Sequence, residues 1–286
     1  MKHIGQLNEE LITNKANDSV STGLSSLDSI LGGLRKGELV TIGGRPCSGR
    51  IPLLISLLNN IAIGKQIPTA IFCFDLKEQE FINFLLANVG GISYDKLKKN
   101  TSLSNEEADC IMDCWRDKIR TAPLYIGGFN SLGITEITNS INKLIAEHGI
   151  RIVFITNLQL IENLSENYQQ IAKQLKWLAK EKGITIVVTS ILNWQMEERE
   201  GVEGKLPLLS DLRYVGDLDE LSDIVIGTFR PATYQIYCDM KGNDLRDVLV
   251  LKVLKNGEEA SNAVLTMHID KETLAVTDNS TLTIEL

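Results

Sequence analysis

The stretch that decides the fold reads Leu39-Val40-Thr41-Ile42-Gly43-Gly44-Arg45-Pro46-Cys47-Ser48-Gly49-Arg50-Ile51. A short apolar, β-branched run leads into a glycine turn, and a helix-forming run follows. In that order they open a βαβ unit, whose helix N-terminus offers backbone N–H groups that can wrap a phosphate. Both glycines of the GxxxxGK[ST] spacing are present, at Gly44 and Gly49. The last two positions depart from it: Arg50 stands where a lysine would reach the outer phosphates, and Ile51 where a hydroxyl would ligate Mg²⁺. Arginine can contact phosphate through a wider planar fork, whereas isoleucine has no ligating atom. By itself the loop fits a phosphate cradle and a ligand-free glycine turn about equally well.

Outward from this turn the chain alternates strands with helices, the pattern of a parallel sheet covered on both faces. Strands are expected at 39–43, 69–74, 124–126, 152–155 and 184–190, and helices at 52–63, 79–88, 105–119, 135–148 and 168–182. Ser104 and Glu107 have capping-box spacing, and Gly149 and Gly183 follow helices that end in His148 and Lys182. A charged, glycine-containing loop covers 197–205. Further strands are expected at 224–229, 248–254, 263–269 and 273–276, as an added β edge. Residues 1–20 read as a polar tail or linker with one amphipathic stretch at Leu7, Leu11 and Ile12, able to dock on this chain or on a neighbouring subunit. The remainder, 21–286, reads as one domain.

Composition bounds the function. The 286 residues are 43% apolar and 23% charged, enough for one well-buried core. Lys plus Arg number 29 and Asp plus Glu 37, a formal charge of -8, which argues against a protein that coats nucleic acid or anionic membrane with its whole surface. No apolar run approaches the roughly 18 residues of a membrane span, and no signal peptide opens the chain, so a cytoplasmic, membrane-free protein is expected. Cys47, Cys73, Cys110, Cys114 and Cys238 lack CxxC spacing and read as free thiols. His3, His148 and His268 lie far apart. Asp217, Asp219, Glu220 and Asp223 read as a solvated acidic turn, so no metal is assigned. Trp115, Trp177 and Trp194 read as packing or edge residues, with Trp177 on the inner face of its helix.

A family resemblance adds to this. Thr22-Gly-Leu-Ser-Ser-Leu-Asp-Ser-Ile-Leu-Gly-Gly-Leu34 and Gly37-Glu-Leu-Val-Thr-Ile-Gly-Gly-Arg-Pro46 resemble the start of the RecA-like motor domain of replicative hexameric DNA helicases of the DnaB type. Collinear matches follow at Pro123-Leu-Tyr-Ile126, Leu158-Gln-Leu160, Leu175-Lys-Trp-Leu178, Ser190-Ile-Leu-Asn193, Ser210-Asp-Leu-Arg213 and Lys255-Asn-Gly257. The resemblance implies a RecA-like P-loop α/β fold, mostly parallel, with a C-terminal antiparallel β edge. It also implies ATP and Mg²⁺ at the residues from Gly44 to Ile51 (Gly44, Arg45, Pro46, Cys47, Ser48, Gly49, Arg50, Ile51), a hexameric ring, single-stranded DNA in its channel and replication proteins as partners.

Carried over residue by residue, the family's catalytic glutamate matches Asp75, one methylene shorter. A water it oriented would sit about 1 Å too far away, a misplacement that can cost on the order of 10²-fold. The acidic residue that holds the Mg²⁺ water shell matches Thr156, and the sensor glutamine matches Ile191. The basic pair that supplies the arginine finger matches Val253 and Lys255, and the DNA-contacting loop matches Arg213, Tyr214 and Gly216. Arg213, Lys205 and Arg199 could track a phosphate backbone while Tyr214 stacks on a base. The plainer reading pairs Asp211 with Arg213 and leaves Lys205 in solvent. Phosphoryl transfer needs cradle, metal, water and finger together, so weak or lost hydrolysis is expected. Two functions stay open: a helicase motor homologue with a substituted nucleotide site, and a non-catalytic helicase-like protein acting by self-assembly or by binding a replication partner. A recombinase or clock-type ATPase relative fits the Ser210-Asp-Leu-Arg213 stretch less well.

Overall fold

The computed structural model describes residues 19–99, 103–130, 132–161, 168–213 and 217–279. Tyr214, Gly216 and the amphipathic stretch at Leu7, Leu11 and Ile12 lie outside them.

Strand β3 (Leu39–Gly44) is buried along its whole length because strands cover both of its edges and helices both of its faces. It pairs in parallel with β7 (Thr185–Ile191) on one side and with β8 (Ile224–Phe229) on the other. Beyond β7 come β6 (Ile152–Ile155), β4 (Thr69–Phe72) and the edge strand β5 (Leu124–Gly127), all parallel. Beyond β8 the chain reverses through β9 (Val248–Asn256), β10 (Glu259–Ile269) and β11 (Val276–Asp278), each antiparallel to its neighbour. Among the described residues this makes a nine-stranded sheet in the order β11-β10-β9-β8-β3-β7-β6-β4-β5.

The period-2 alternation of each strand sorts its apolar residues between two cores. Val40 and Ile42, Ile152 and Phe154, and Val187 face a core shared with α1 (Ser25–Leu31), α2 (Arg50–Leu58) and α3 (Glu78–Gly90). Leu39, Val153, Ile155, Ile186 and Val188 face the opposite core, under α6 (Ile134–His148) and α7 (Tyr168–Lys182). Both faces of the sheet are therefore covered, as expected.

Several boundaries move. The helix after the glycine turn starts at Arg50 and changes to a π-helical turn over Asn59–Gly64. The helix α5 (Asn105–Cys114) likewise ends in a π turn over Trp115–Ile119. The last strand is Val276–Asp278, because Asp270 accepts hydrogen bonds from the Thr273 N–H and hydroxyl and turns the chain before it. The expected loop at 197–205 carries two short helical turns, Trp194–Glu198 and Gly201–Gly204. A two-stranded ribbon of β1 (Ser19–Val20) and β2 (Leu34–Arg35), and the helix α4 (Tyr94–Lys99), are additions. The folded body thus includes Ser19 and Val20. Trp177 is corrected: it is 64% exposed, on the outer side of α7, because Ile171, Leu175 and Leu178 take the inner stripe. No helix among the described residues is long and apolar enough to cross a membrane.

Candidate nucleotide and nucleic-acid sites

The turn from β3 into α2 is held by close approach. A Cβ on Gly44 would lie 2.2 Å from both Ser48 Oγ and Thr228 Oγ1, so only glycine lets these hydroxyls meet. They do meet, at 2.7 Å, and tie the loop to β8. Gly49 caps α2 at a φ of 87°, and a Cβ there would also strike Leu249 of β9 at 2.5 Å. Cys47 adopts a φ of 61°, which is unusual for a side chain with a Cβ.

Arg45 leaves the loop sideways. Its Nε donates to Glu197 at 2.6 Å and its Nη1 to the Leu192 carbonyl at 2.9 Å, so the loop is joined to the segment that follows β7. Arg50, only 8% exposed, donates from Nη2 to Asp75 Oδ2 at 3.3 Å. The two residues matched to the phosphate-binding lysine and the catalytic glutamate therefore bond to each other. Asp75 Oδ1 is buried without a hydrogen-bond partner. Next to Asp75, burial together with the nearby Asp75 carboxylate pushes the Cys73 thiol up to about 12.

Arg45, Arg50 and Ile51 line a cavity of about 300 Å³ with Phe84, Leu274 and Arg230, whose Nε is buried without a hydrogen-bond partner. A larger cavity of about 540 Å³ lies between the sheet edge at β5 and α6, and its only charged lining residues are Lys143 and Glu147. The convergence of cations marks the smaller cavity as the site of phosphate chemistry.

The other matched positions are occupied structurally. Thr156 is fully buried and its Oγ1 accepts the Phe74 N–H at 2.9 Å. Ile191 ends β7, where Gln159 brackets its peptide by accepting its N–H at 3.3 Å and donating to its carbonyl at 3.0 Å. Val253 is wholly buried in the core. Lys255 Nζ donates to the carbonyls of Asp219 and Glu220, at 3.1 and 2.8 Å. The donor set does not fit the Mg²⁺ that the resemblance implies: Ile51 has no ligand atom, the Thr156 hydroxyl is taken, and Asp75 faces a guanidinium. Among the described residues no three His, Cys, Asp or Glu side chains are grouped to hold a metal.

Around the DNA-loop candidate the plainer reading is corrected as well. Asp211 pairs with Arg199 at 2.6 Å and caps the turn by accepting the Leu208 N–H, because its side chain points back under the loop. Arg213 is mostly exposed and reaches Asp219 at 3.4 Å. Lys205 Nζ donates to the Glu197 carbonyl instead of standing in solvent. The acidic turn is only partly solvated, since Asp223 accepts the Leu39 N–H at 2.7 Å and pairs with Lys176. Sequence reasoning missed Glu197, Arg230 and Gln159. Their places in the site come from strand ends brought side by side, and no local spacing announces that.

The family described as DnaB-like helicase C-terminal domain matches residues 19–273. A probable plasmid replicative DNA helicase of Chlamydia muridarum is 32% identical over 221 residues, 76% of this chain and 48% of that protein. The replicative DNA helicase DnaB of Leifsonia xyli subsp. xyli is 29% identical over 222 residues, again 76% of this chain and 48% of that protein. The chain thus spans about half the length of these relatives. Among solved structures, an isolated ATPase domain superposes with a TM-score of 0.83 at 22% identity, covering 96% of this chain and 97% of that one. A DnaB-like replicative helicase described with its primase interactions gives 0.82 at 22% identity, covering 96% and 66%. The two cores, the glycine turn at the head of α2 and the match over residues 19–273 lead to one conclusion: the chain belongs to the DnaB-like helicase C-terminal domain family.

Proposed function

We propose that this chain is a replicative-helicase motor homologue that keeps the family's fold and its phosphate loop while turning ATP over slowly or not at all. The observation that carries the reading is the Arg50–Asp75 bond. In phosphoryl transfer the protein contributes position and charge, so each group must face the phosphate or the attacking water. Here the cation and the carboxylate face each other. Lys255 is anchored to carbonyls of its own chain, which supports the loss of a finger reaching a neighbour. Arg213, exposed at a loop, is the described residue best placed to contact single-stranded DNA, with Tyr214 and Gly216 beside it in sequence. We extend to this chain the ring assembly, the replication partners and the cytoplasmic site of action that the resemblance implies.

Steady-state hydrolysis of ATP by the purified chain, with Mg²⁺ and single-stranded DNA, tests this together with the assembly state by native mass spectrometry. Turnover far below about 1 s⁻¹ is expected, that figure being the lower end of typical phosphoryl-transfer rates. DNA-stimulated turnover at or above it overturns the reading. A ring that binds DNA without turnover favours the motor homologue. A chain that neither assembles nor binds DNA favours a regulatory protein that acts through a replication partner.

A further inference from the structure

We propose that the glycine loop takes a diphosphate group without a metal ion, and that Asp75 is the loop's built-in competitor for it. The inference rests on reading the turn at Gly44–Arg50 as a phosphate cradle, and it goes beyond that reading by naming the ligand state and the residue that opposes binding.

The argument against the metal comes from the donor set. A hard dication needs several oxygen ligands, carboxylates above all, at about 2.1 Å for Mg²⁺. The position next to Arg50 is aliphatic, the Thr156 hydroxyl is taken up by the Phe74 N–H, and Asp75 is turned toward Arg50. Positive charge comes instead from guanidinium groups. Arg45, Arg50 and Arg230 converge on one cavity of about 300 Å³ beside the loop. Three fixed cations there can offset the charge that a magnesium ion would otherwise neutralise.

The argument for competition comes from the Arg50–Asp75 geometry. Charge-assisted N–H···O bonds normally run about 2.7–2.9 Å, and arginine often grips a carboxylate with two of them. This contact is 3.3 Å long, and Asp75 Oδ1 is buried without a partner. The two side chains are only 9% and 12% exposed, so neither charge is released to water. Asp75 therefore faces Arg50 across a buried contact that leaves the carboxylate poorly satisfied. A phosphate oxygen arriving at the loop can take over the guanidinium, and Asp75 opposes it by like charge. Replacing Asp75 with its neutral isostere removes that opposition and leaves Arg50 in place.

Calorimetric titration of the full chain with pyrophosphate, in chelator and again with MgCl₂, tests both halves. In chelator, Asp75→Asn binds pyrophosphate about tenfold or more tighter than the unaltered chain, the scale of one charge-assisted hydrogen bond. Magnesium, which chelates pyrophosphate in bulk, leaves both affinities unchanged or weaker. Arg50→Gln abolishes the gain in the Asp75→Asn background, yet changes the affinity of the unaltered chain by less than about threefold because there Arg50 is engaged. The proposal is overturned if magnesium strengthens binding about tenfold, if Asp75→Asn binds no tighter or not at all, or if Arg50→Gln alone costs about tenfold. That last arm stands even if Asp75→Asn does not fold. None of these titrations reads ATP turnover, so an active ATPase would sink the slow-turnover reading and leave this one to its own outcome.

Discussion

Gly44 shows how a single missing Cβ holds the site together. Its backbone is not in the left-handed region, so an alanine there fails for lack of space and not for lack of conformational freedom. The added methyl would push apart Ser48 and Thr228, whose hydroxyls meet at 2.7 Å and hold the loop against β8. We expect Gly44→Ala to lower the urea midpoint by an amount equivalent to about 1–3 kcal/mol, the usual cost of overpacking a filled interior. Adding Ser48→Ala and Thr228→Ala should recover part of it by making room. A fully additive triple variant would show that space is not the cause.

At the scale of elements, the carboxylate of Asp278 joins the last strand to the first helix. It accepts the Ser25 and Ser26 N–H groups at 2.6 and 3.0 Å, and both serine hydroxyls bond to it as well. Helix α1 thus has the orphan donors of its N-terminus satisfied from β11, some 250 residues away, and no cap comes from its own side chains. Partial burial pushes the Asp278 carboxyl up, but the hydrogen bonds from Ser26 and Ser25 outweigh it and the net effect is a lowered pKa. A lowered folded-state value means that stabilisation is complete above the ordinary carboxylate range near 4 and is lost as pH falls through the lower folded value. Asp278→Asn should therefore be less stable than the unaltered chain at neutral pH, by about 1 kcal/mol, typical for a lost cap. The difference should shrink toward zero in strong acid, as chemical denaturation at stepped pH can measure.

Over the whole molecule, burial sorts the five cysteines into two classes. Cys47, Cys110 and Cys238 are exposed, whereas Cys73 and Cys114 are buried. Burial also raises the Cys114 thiol, and Cys73 is pushed up to about 12, so neither offers thiolate near pH 8. A chromogenic thiol reagent at that pH should react with three groups in the native chain and with all five after denaturation. Rapid reaction of all five in the native state would mean that the cores facing α1 to α3 open readily.

Local chemistry decided much of this protein. Apolar runs broken by glycines and capped helices were legible as βαβ units, since strand alternation and helix end signals are written within a few residues of each other. The spacing of Gly44 and Gly49 located the loop, and Ile51, Thr156 and Ile191 declared by residue type alone that they carry no ligand for magnesium or γ-phosphate. Ends drifted where side chains from afar intervened, as at Asp270, which delays β11, and at Trp177, whose helix turns another stripe inward. Only the tertiary structure decided what the remaining charges do. Arg50 and Asp75 lie 25 residues apart and Arg45 and Glu197 lie 152 apart, and each pair meets because parallel strands deliver their C-terminal ends to one edge of the sheet. Sequence spacing carries no record of which strands become neighbours, because that is settled by the joint burial of two apolar faces.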